Sequence, residues 1–128
     1  MDPEESRVIE DSDAVKVFVR LRPLNAREKN NKEYFSWEYD SAALYEVTQN
    51  GQRVYAYDRV FGPDEMNDVL YDVVAKPVVL KCMEGYNGTV FSYGQTGSGK
   101  TWTMRGSAAD PGMMMLCISD IFEFIEEH

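Results

Sequence analysis

"VFSYGQTGSGKTWT", Val90 to Thr103, is the stretch on which the reading of this chain turns. Inside it, Gly94-Gln95-Thr96-Gly97-Ser98-Gly99-Lys100-Thr101 fits GxxxxGK[ST] at every fixed position. The residue types answer to one task. Glycines let consecutive backbone N–H groups turn inward as a concave anion nest. Lys100 sets a point charge against the outer phosphates, and the Thr101 hydroxyl can complete the coordination of Mg²⁺. The flanks agree with this. Thr89 to Tyr93 reads as a short apolar strand running into the loop, and "KTWTM" reads as a helix opening at about Lys100, whose positive end adds to the nest. The plainer alternative, a flexible glycine loop, leaves the lysine–threonine ending without a reason. The loop says nucleoside triphosphate; it does not say what the triphosphate is for.

The bulk numbers narrow the field. With 128 residues there is room for one domain with a modest core. Apolar residues make up 44% and charged residues 27%, which is a soluble, globular composition. The 13 Lys and Arg against 22 Asp and Glu give a net charge of −9, which speaks against nucleic acid and against an anionic membrane surface as partners. One bound nucleotide is still compatible, since a local nest of amides can hold it. Cys82 and Cys117 sit in no CxxC and no Cys/His cluster, so they read as reduced, largely buried thiols rather than zinc ligands. "MDPEESRVIEDSD" holds six acidic residues and one arginine and lacks the basic start and apolar run of a signal peptide. No apolar stretch is long enough to span a bilayer. Asn87-Gly88-Thr89 is a chance glycosylation triplet leading into an apolar strand.

Along the chain, residues 1–13 read as an acidic mobile tail and 14–128 as the folded part. "AVKVFVRLRP" is an alternating, β-branched strand that stops at Pro23, and "NAREKNNKE" reads as loop. "EYFSWEYD", "ALYEVTQNGQRVYAYD" and "RVF" form a small antiparallel lobe, with Asn50-Gly51 as the hairpin turn. "PDEMNDVLYDVVAKPVVLKCMEG" is helical, with Met66, Val69, Leu70, Val73, Val74 and Leu80 recurring at three- and four-residue steps. Asp64 and Glu65 suit its start and Gly85 its end, and Pro77 should kink or split it. Near the C-terminus, "MMMLCISD" could be a strand carrying a magnesium-binding aspartate, Asp120. The helix is favoured instead, because Met114, Ile118, Ile121, Phe122 and Ile125 fall largely on one helical face.

Arg20-Leu21-Arg22-Pro23 ends the first strand. If that strand lies parallel to the one feeding the phosphate loop, these residues land beside a bound nucleotide, because ligands of open α/β sheets bind outside the strands' carboxyl ends. Two solvated arginines at a strand end are the commoner alternative. "VFVRLRPLN", "YDRVFG", "EGYNGTVFSYGQTGSGKTWTMRG" and "SDIFEFI" stand in the order and at about the spacing of the N-terminal part of the kinesin motor domain. From Ala14 onward the chain resembles N-terminal-motor kinesins, the centromere-associated group among them.

The resemblance implies a P-loop NTPase of α/β class, here partial: a central, mostly parallel sheet with flanking helices plus the small antiparallel lobe. It implies ATP or ADP with Mg²⁺ as cofactors, the phosphates at Gly94–Thr101, and the metal on the Thr101 hydroxyl. Arg20, Arg22 and Pro23 match the family's RxRP adenine-side motif. Trp102 matches the ring-bearing position that packs on the other side of the base; tryptophan is unusual there, but its π-face serves. Tyr57 to Phe61 match a structural segment. Met115 stands where the family usually has a proline, a departure that bears on the local turn and not on the nucleotide site. The implied activity is ATP hydrolysis coupled to movement along microtubules. The partner is tubulin, the setting the cytoplasmic cytoskeleton, and dimerisation would run through a coiled coil absent from this chain.

The switch motifs "NxxSSR" and "DxAGxE", which orient the attacking water and sense the γ-phosphate in that family, do not occur here. No catalytic residue is therefore assigned within the chain, and the expectation is a truncated motor domain. Two other functions compete. A small P-loop phosphotransferase would need an acceptor site and a base, and the one histidine is His128, the last residue. A nucleotide-binding module without turnover would fit the isolated chain.

Overall fold

The computed structural model describes residues 15–32 and 37–128. The acidic stretch 1–13, expected as a tail, lies outside the described residues. The chain divides into two compact units. Among the described residues the first holds 15–19 and 37–60, and the second holds 20–32 and 61–128.

The first unit is built around a three-stranded antiparallel meander: β2 (Trp37–Tyr39), β3 (Ala43–Thr48) and β4 (Gly51–Ala56), in the order β2-β3-β4. Asp40 starts the β2–β3 turn by accepting the N–H groups of Ala42 and Ala43 and the Tyr45 hydroxyl. Those bonds, the tyrosine's foremost, hold its carboxyl below the usual range. The expected hairpin is present, with its turn one residue earlier than read. Thr48 pairs with Gly51, so Gln49 and Asn50 are the turn residues. Gly51 alone takes a positive φ, +129°, which a side chain would resist. Trp37 and Tyr55 meet across β3 with ring centroids 5.7 Å apart, an aromatic pair that bolsters the outer strands.

Two further strands, β1 (Phe18–Arg20) and β5 (Arg59–Phe61), form a separate two-stranded sheet and each runs from the first unit into the second. The Asp58 N–H donates to Val17 O and the Leu21 N–H donates to Phe61 O, so the two segments advance together and the pair is parallel. "RVF", read with the antiparallel lobe, therefore belongs to the parallel sheet. β1 is also shorter than the alternation suggested. The α/β class stands, with one parallel pair and one antiparallel meander.

The second unit is mainly helical. "NAREKN" is not loop: α1 (Ala26–Asn30) is held by a capping box, with the Glu28 N–H on Asn25 Oδ1 and the Asn25 N–H on Glu28 Oε2. Asn-x-x-Glu is the spacing such a box requires, and it was there to be read. The long helical pattern begins at α2 (Asn67–Leu70), passes through a wider π turn (Tyr71–Ala75), and continues as α3 (Lys76–Met83). Pro77 has no N–H and its ring crowds the carbonyl four residues back. The wider turn absorbs both effects, so the helix neither splits nor stops. Gly85 ends it at φ +104°, as expected.

The buried stripe of this helix is Asn67, Leu70, Tyr71, Ala75 and Val79. Of the expected face Leu70 is buried and Val73 and Val74 are half-buried, whereas Met66, Val69 and Leu80 are exposed. Met113 and Phe61 complete the core; full burial of a ring such as Phe61 contributes about 2–3 kcal/mol. Two elements follow: the short α4 (Lys100–Met104), and the fifteen-residue α5 (Met113–Glu127) behind the tight turn 105–112. The helical reading of "MMMLCISD" is correct, and Met115 lies within α5 without disturbing it.

Thr89 to Tyr93 is not a strand. Among the described residues no backbone ladder runs beside it, and Phe91 and Tyr93 are 79% and 95% exposed. An apolar run becomes a strand only where a neighbour satisfies its N–H and C=O groups.

Candidate nucleotide site

The loop Gly94–Gly99 leads directly into α4, so Lys100 and Thr101 are its first residues. Gly97 (φ +82°) and Gly99 (φ +100°) take the left-handed backbone that side chains resist and from which anion nests are built. Only the Ser98 N–H turns back, onto Gln95 O at 3.1 Å. Among the described residues no protein acceptor meets the N–H groups of Gly97, Gly99 or Lys100. The Ser98 hydroxyl is buried without a partner there, and a Cβ on Gly94 would come within 2.4 Å of it. A polar atom in such a place is rare without a use. The donor set, the orphaned hydroxyl and the narrow cradle fit a polyphosphate, and Lys100 and Thr101 follow them directly in the chain.

The expected adenine-side residues divide. Arg22 comes to the loop: its Cβ lies 3.6 Å from where a Cβ on Gly99 would stand. Its guanidinium grips Glu28 through both nitrogens, which fastens α1 to the end of β1. That pairing, with the Asn25 N–H, holds the Glu28 carboxyl down at about 2. Pro23 is exposed. Trp102, 46% exposed, sits on the first turn of α4.

Arg20 points into the unit instead. It donates to Asn67 Oδ1, to Thr103 Oγ1 at 3.0 Å and to Glu65 O at 3.0 Å. Burial lowers its pKa, while the charges of Asp110 and Glu65 oppose the shift. Asn67 is completely buried. Its amide donates to Trp102 O at 3.0 Å and to Asp110 O at 3.2 Å, and its backbone N–H donates to Asp110 Oδ1. Asp110 in turn closes the turn 107–110 with Ser107. The sequence reading missed Asn67 and Asp110. A polar residue on an apolar helical face was the available signal for Asn67; nothing local marked Asp110.

Asp120, weighed as a metal ligand, accepts the Tyr71 hydroxyl at 2.5 Å and belongs to the contact between the π turn and α5. Burial and that bond push the Tyr71 phenol upward. Among the described residues no cluster of three His, Cys, Asp or Glu could hold a metal, and no helix is long and apolar enough to cross a membrane.

The kinesin motor domain family model matches residues 20–128. The chain belongs to the kinesin motor-domain family. It is 46% identical over 127 residues to a protein named kinesin-like protein KIN-7K, chloroplastic, from Oryza sativa subsp. japonica, covering 96% of this chain and 12% of that one. It is 43% identical over 126 residues to KIN-7D, mitochondrial, from Arabidopsis thaliana, covering 98% and 12%. To KIN-7G of Oryza sativa it is 45% identical over 115 residues, covering 90% and 13%. This kinesin-family chain thus spans about an eighth of the length of these relatives. The match takes in the phosphate loop, Arg20, Arg22, Trp102 and the Asn67 network together.

Proposed function

We propose that this chain is the ATP-binding part of a microtubule motor, in which ATP hydrolysis drives movement along microtubules. The single observation that carries the proposal is the Gly94–Thr101 loop: open N–H donors, two left-handed glycines and an orphaned hydroxyl, set directly before Lys100 and Thr101 in a kinesin-family chain. In this reading residues 14–128 serve as motor-domain sequence and 1–13 as an acidic extension.

The roles follow from chemistry. The loop N–H groups hold the β- and γ-phosphate oxygens, and Lys100 neutralises charge on them. The Thr101 hydroxyl would hold Mg²⁺, which when bound would supply charge neutralisation to the phosphates. Trp102 offers its exposed face to the adenine, with Arg22 and Pro23 on the opposite side. Arg20 acts from behind, by anchoring Thr103. The partner is the microtubule and the working place the cytoskeleton. Self-association through a coiled coil outside these 128 residues completes the proposal.

The test uses the full-length protein. ATP turnover should rise when polymerised tubulin is added, and Lys100→Ala should abolish it. Turnover indifferent to tubulin would overturn the motor reading. Undiminished turnover in the variant would overturn the site.

A further inference from the structure

We propose that Asn67 is a positioning residue for the base side of the nucleotide site: its carboxamide fixes the far end of α4 and with it the Trp102 ring. This inference rests on the nucleotide reading above and deepens it.

α4 has five residues. A helix that short does not hold itself together in water. Its last carbonyls also need donors from elsewhere. The Gly106 N–H, which would ordinarily close onto Trp102 O, goes instead to Thr101 O at 3.2 Å, beside the Arg105 N–H at 2.8 Å. Trp102 O is left to the Asn67 amide, at 3.0 Å. One residue on, Thr103 Oγ1 takes the Arg20 guanidinium, and the same guanidinium nitrogen also donates to Asn67 Oδ1. Arg20 and Asn67 thus form one brace, anchored at the end of β1 and the start of α2, that grips α4 at two successive residues.

The chemistry of position 67 is specific. Its side chain meets a cationic donor on one side and two carbonyl oxygens, Trp102 O and Asp110 O, on the other. Only a carboxamide accepts on one face and donates two hydrogens from the other. An apolar side chain would strand Trp102 O, while Arg20 would keep Thr103 and Glu65 O and Asp110 O would keep the Ser107 N–H; a carboxylate would turn an oxygen toward two carbonyls. The residue is wholly buried, so water cannot stand in.

The brace acts on one part of the site. It holds Trp102 and Thr103, whereas the phosphate donors lie on the other side of Thr101, in a loop whose shape is set by Gly97 and Gly99. Loosening the brace lets the Trp102 ring swing while the glycine loop keeps its form. A merely structural Asn67 would lower stability and leave the balance between base and phosphate affinity untouched.

The experiment is calorimetry on the full-length protein with Mg²⁺, comparing ADP with pyrophosphate. Asn67→Leu should weaken ADP about tenfold, the scale of a lost base-stacking contact, and keep pyrophosphate within about twofold. Trp102→Ala should do the same, and adding Asn67→Leu to it should cost little more, because both remove one interaction. Thr103→Val takes away an acceptor of Arg20 while leaving the buried Asn67 in place, and should lower ADP affinity about threefold with the same selectivity. If Asn67→Leu does not fold, Thr103→Val and Trp102→Ala decide. An unchanged ADP-to-pyrophosphate ratio in the folded variants, or an equal loss of both ligands, overturns the brace while the nucleotide reading stands. Wild-type protein that binds neither ligand overturns the nucleotide reading and the brace with it.

Discussion

The β3–β4 hairpin and the Asn67 network are both held by hydrogen bonds, yet they are assembled from opposite ends of the range of sequence separation. In the hairpin each partner is close along the chain, from Thr48 with Gly51 out to Ala43 with Ala56. In the network Asn67 joins Arg20, Trp102 and Asp110, residues 35 to 47 positions away. Local pairing forms from its own strands and turn and tolerates exposure; every residue of β4 is exposed. Remote pairing must be buried to be worth its ordering cost, and there every polar atom of the Asn67 side chain has a named partner, while Asp110 Oδ2 is left without one among the described residues. The phosphate loop stands between these two cases. Its donors are local, and the helix it feeds is held from afar.

The largest expected effect tests the local half of the site. Lys100→Ala removes a charge-assisted contact to phosphate and should weaken nucleotide binding by about a hundredfold, roughly 3 kcal/mol, in calorimetry with Mg·ADP. Binding within a few-fold of wild type would show that the loop is not the cradle. The next strikes the remote half. Gly106 has φ +64°, and a Cβ there would meet Asp110 O at 2.2 Å and Gly112 N at 2.4 Å, all backbone. Gly106→Val should therefore lower stability by about 2–4 kcal/mol in denaturant unfolding and disturb Asp110's hold on Asn67. A neutral outcome would mean that the turn 105–112 can open without consequence.

A smaller effect is expected at the π turn. Tyr71→Phe strips Asp120 of its phenol donor and should cost about 1 kcal/mol. Because the folded phenol is raised above its ordinary 10, its contribution holds below that value and fades as pH climbs past it. A pH-independent difference between wild type and variant would break this assignment. The smallest effect is at the half-buried Arg22–Glu28 pair. The Glu28 carboxyl is depressed from 4.5 to about 2, so the pair's contribution is present above 4.5 and lost as pH falls towards 2. Glu28→Gln should erase that acid-side slope in a thermal melt; a slope retained in the variant would assign it to other carboxylates.

What could be read in the sequence follows the same division. The GxxxxGK[ST] pattern, the helix over Met113–Glu127, the hairpin and the end at Gly85 each depend on residues a few positions apart. The hairpin turn was read one residue late, because Asn-Gly suggested positive φ at both positions while Gly51 alone takes it. The Asn25–Glu28 capping box was equally local and was passed over as polar loop. The failures of another kind were all tertiary. Periodicity marked the apolar residues of the helix over 67–83 but not which of them face the core: Asn67 is buried and Val69 exposed ahead of the π turn at Tyr71–Ala75, and beyond it Val79 is buried and Leu80 exposed. Of the expected face in α5, Met114, Ile118, Phe122 and Ile125 are exposed and Ile121 is half-buried, while Met113 is buried and Asp120 engages Tyr71. A helix apolar on most sides does not announce its partner.

The sequence by itself determined the GxxxxGK[ST] loop, the class of fold and the family, because glycines, a lysine and a hydroxyl in fixed local order are legible without the fold. Only the tertiary structure decided that Arg20 turns inward while Arg22 stays at the loop, that Thr89–Tyr93 has no ladder among the described residues, and that a buried asparagine donates to Trp102 O in the helix after the glycine loop. Those outcomes depend on which distant groups satisfy a donor or acceptor once water is excluded, and no local pattern encodes that.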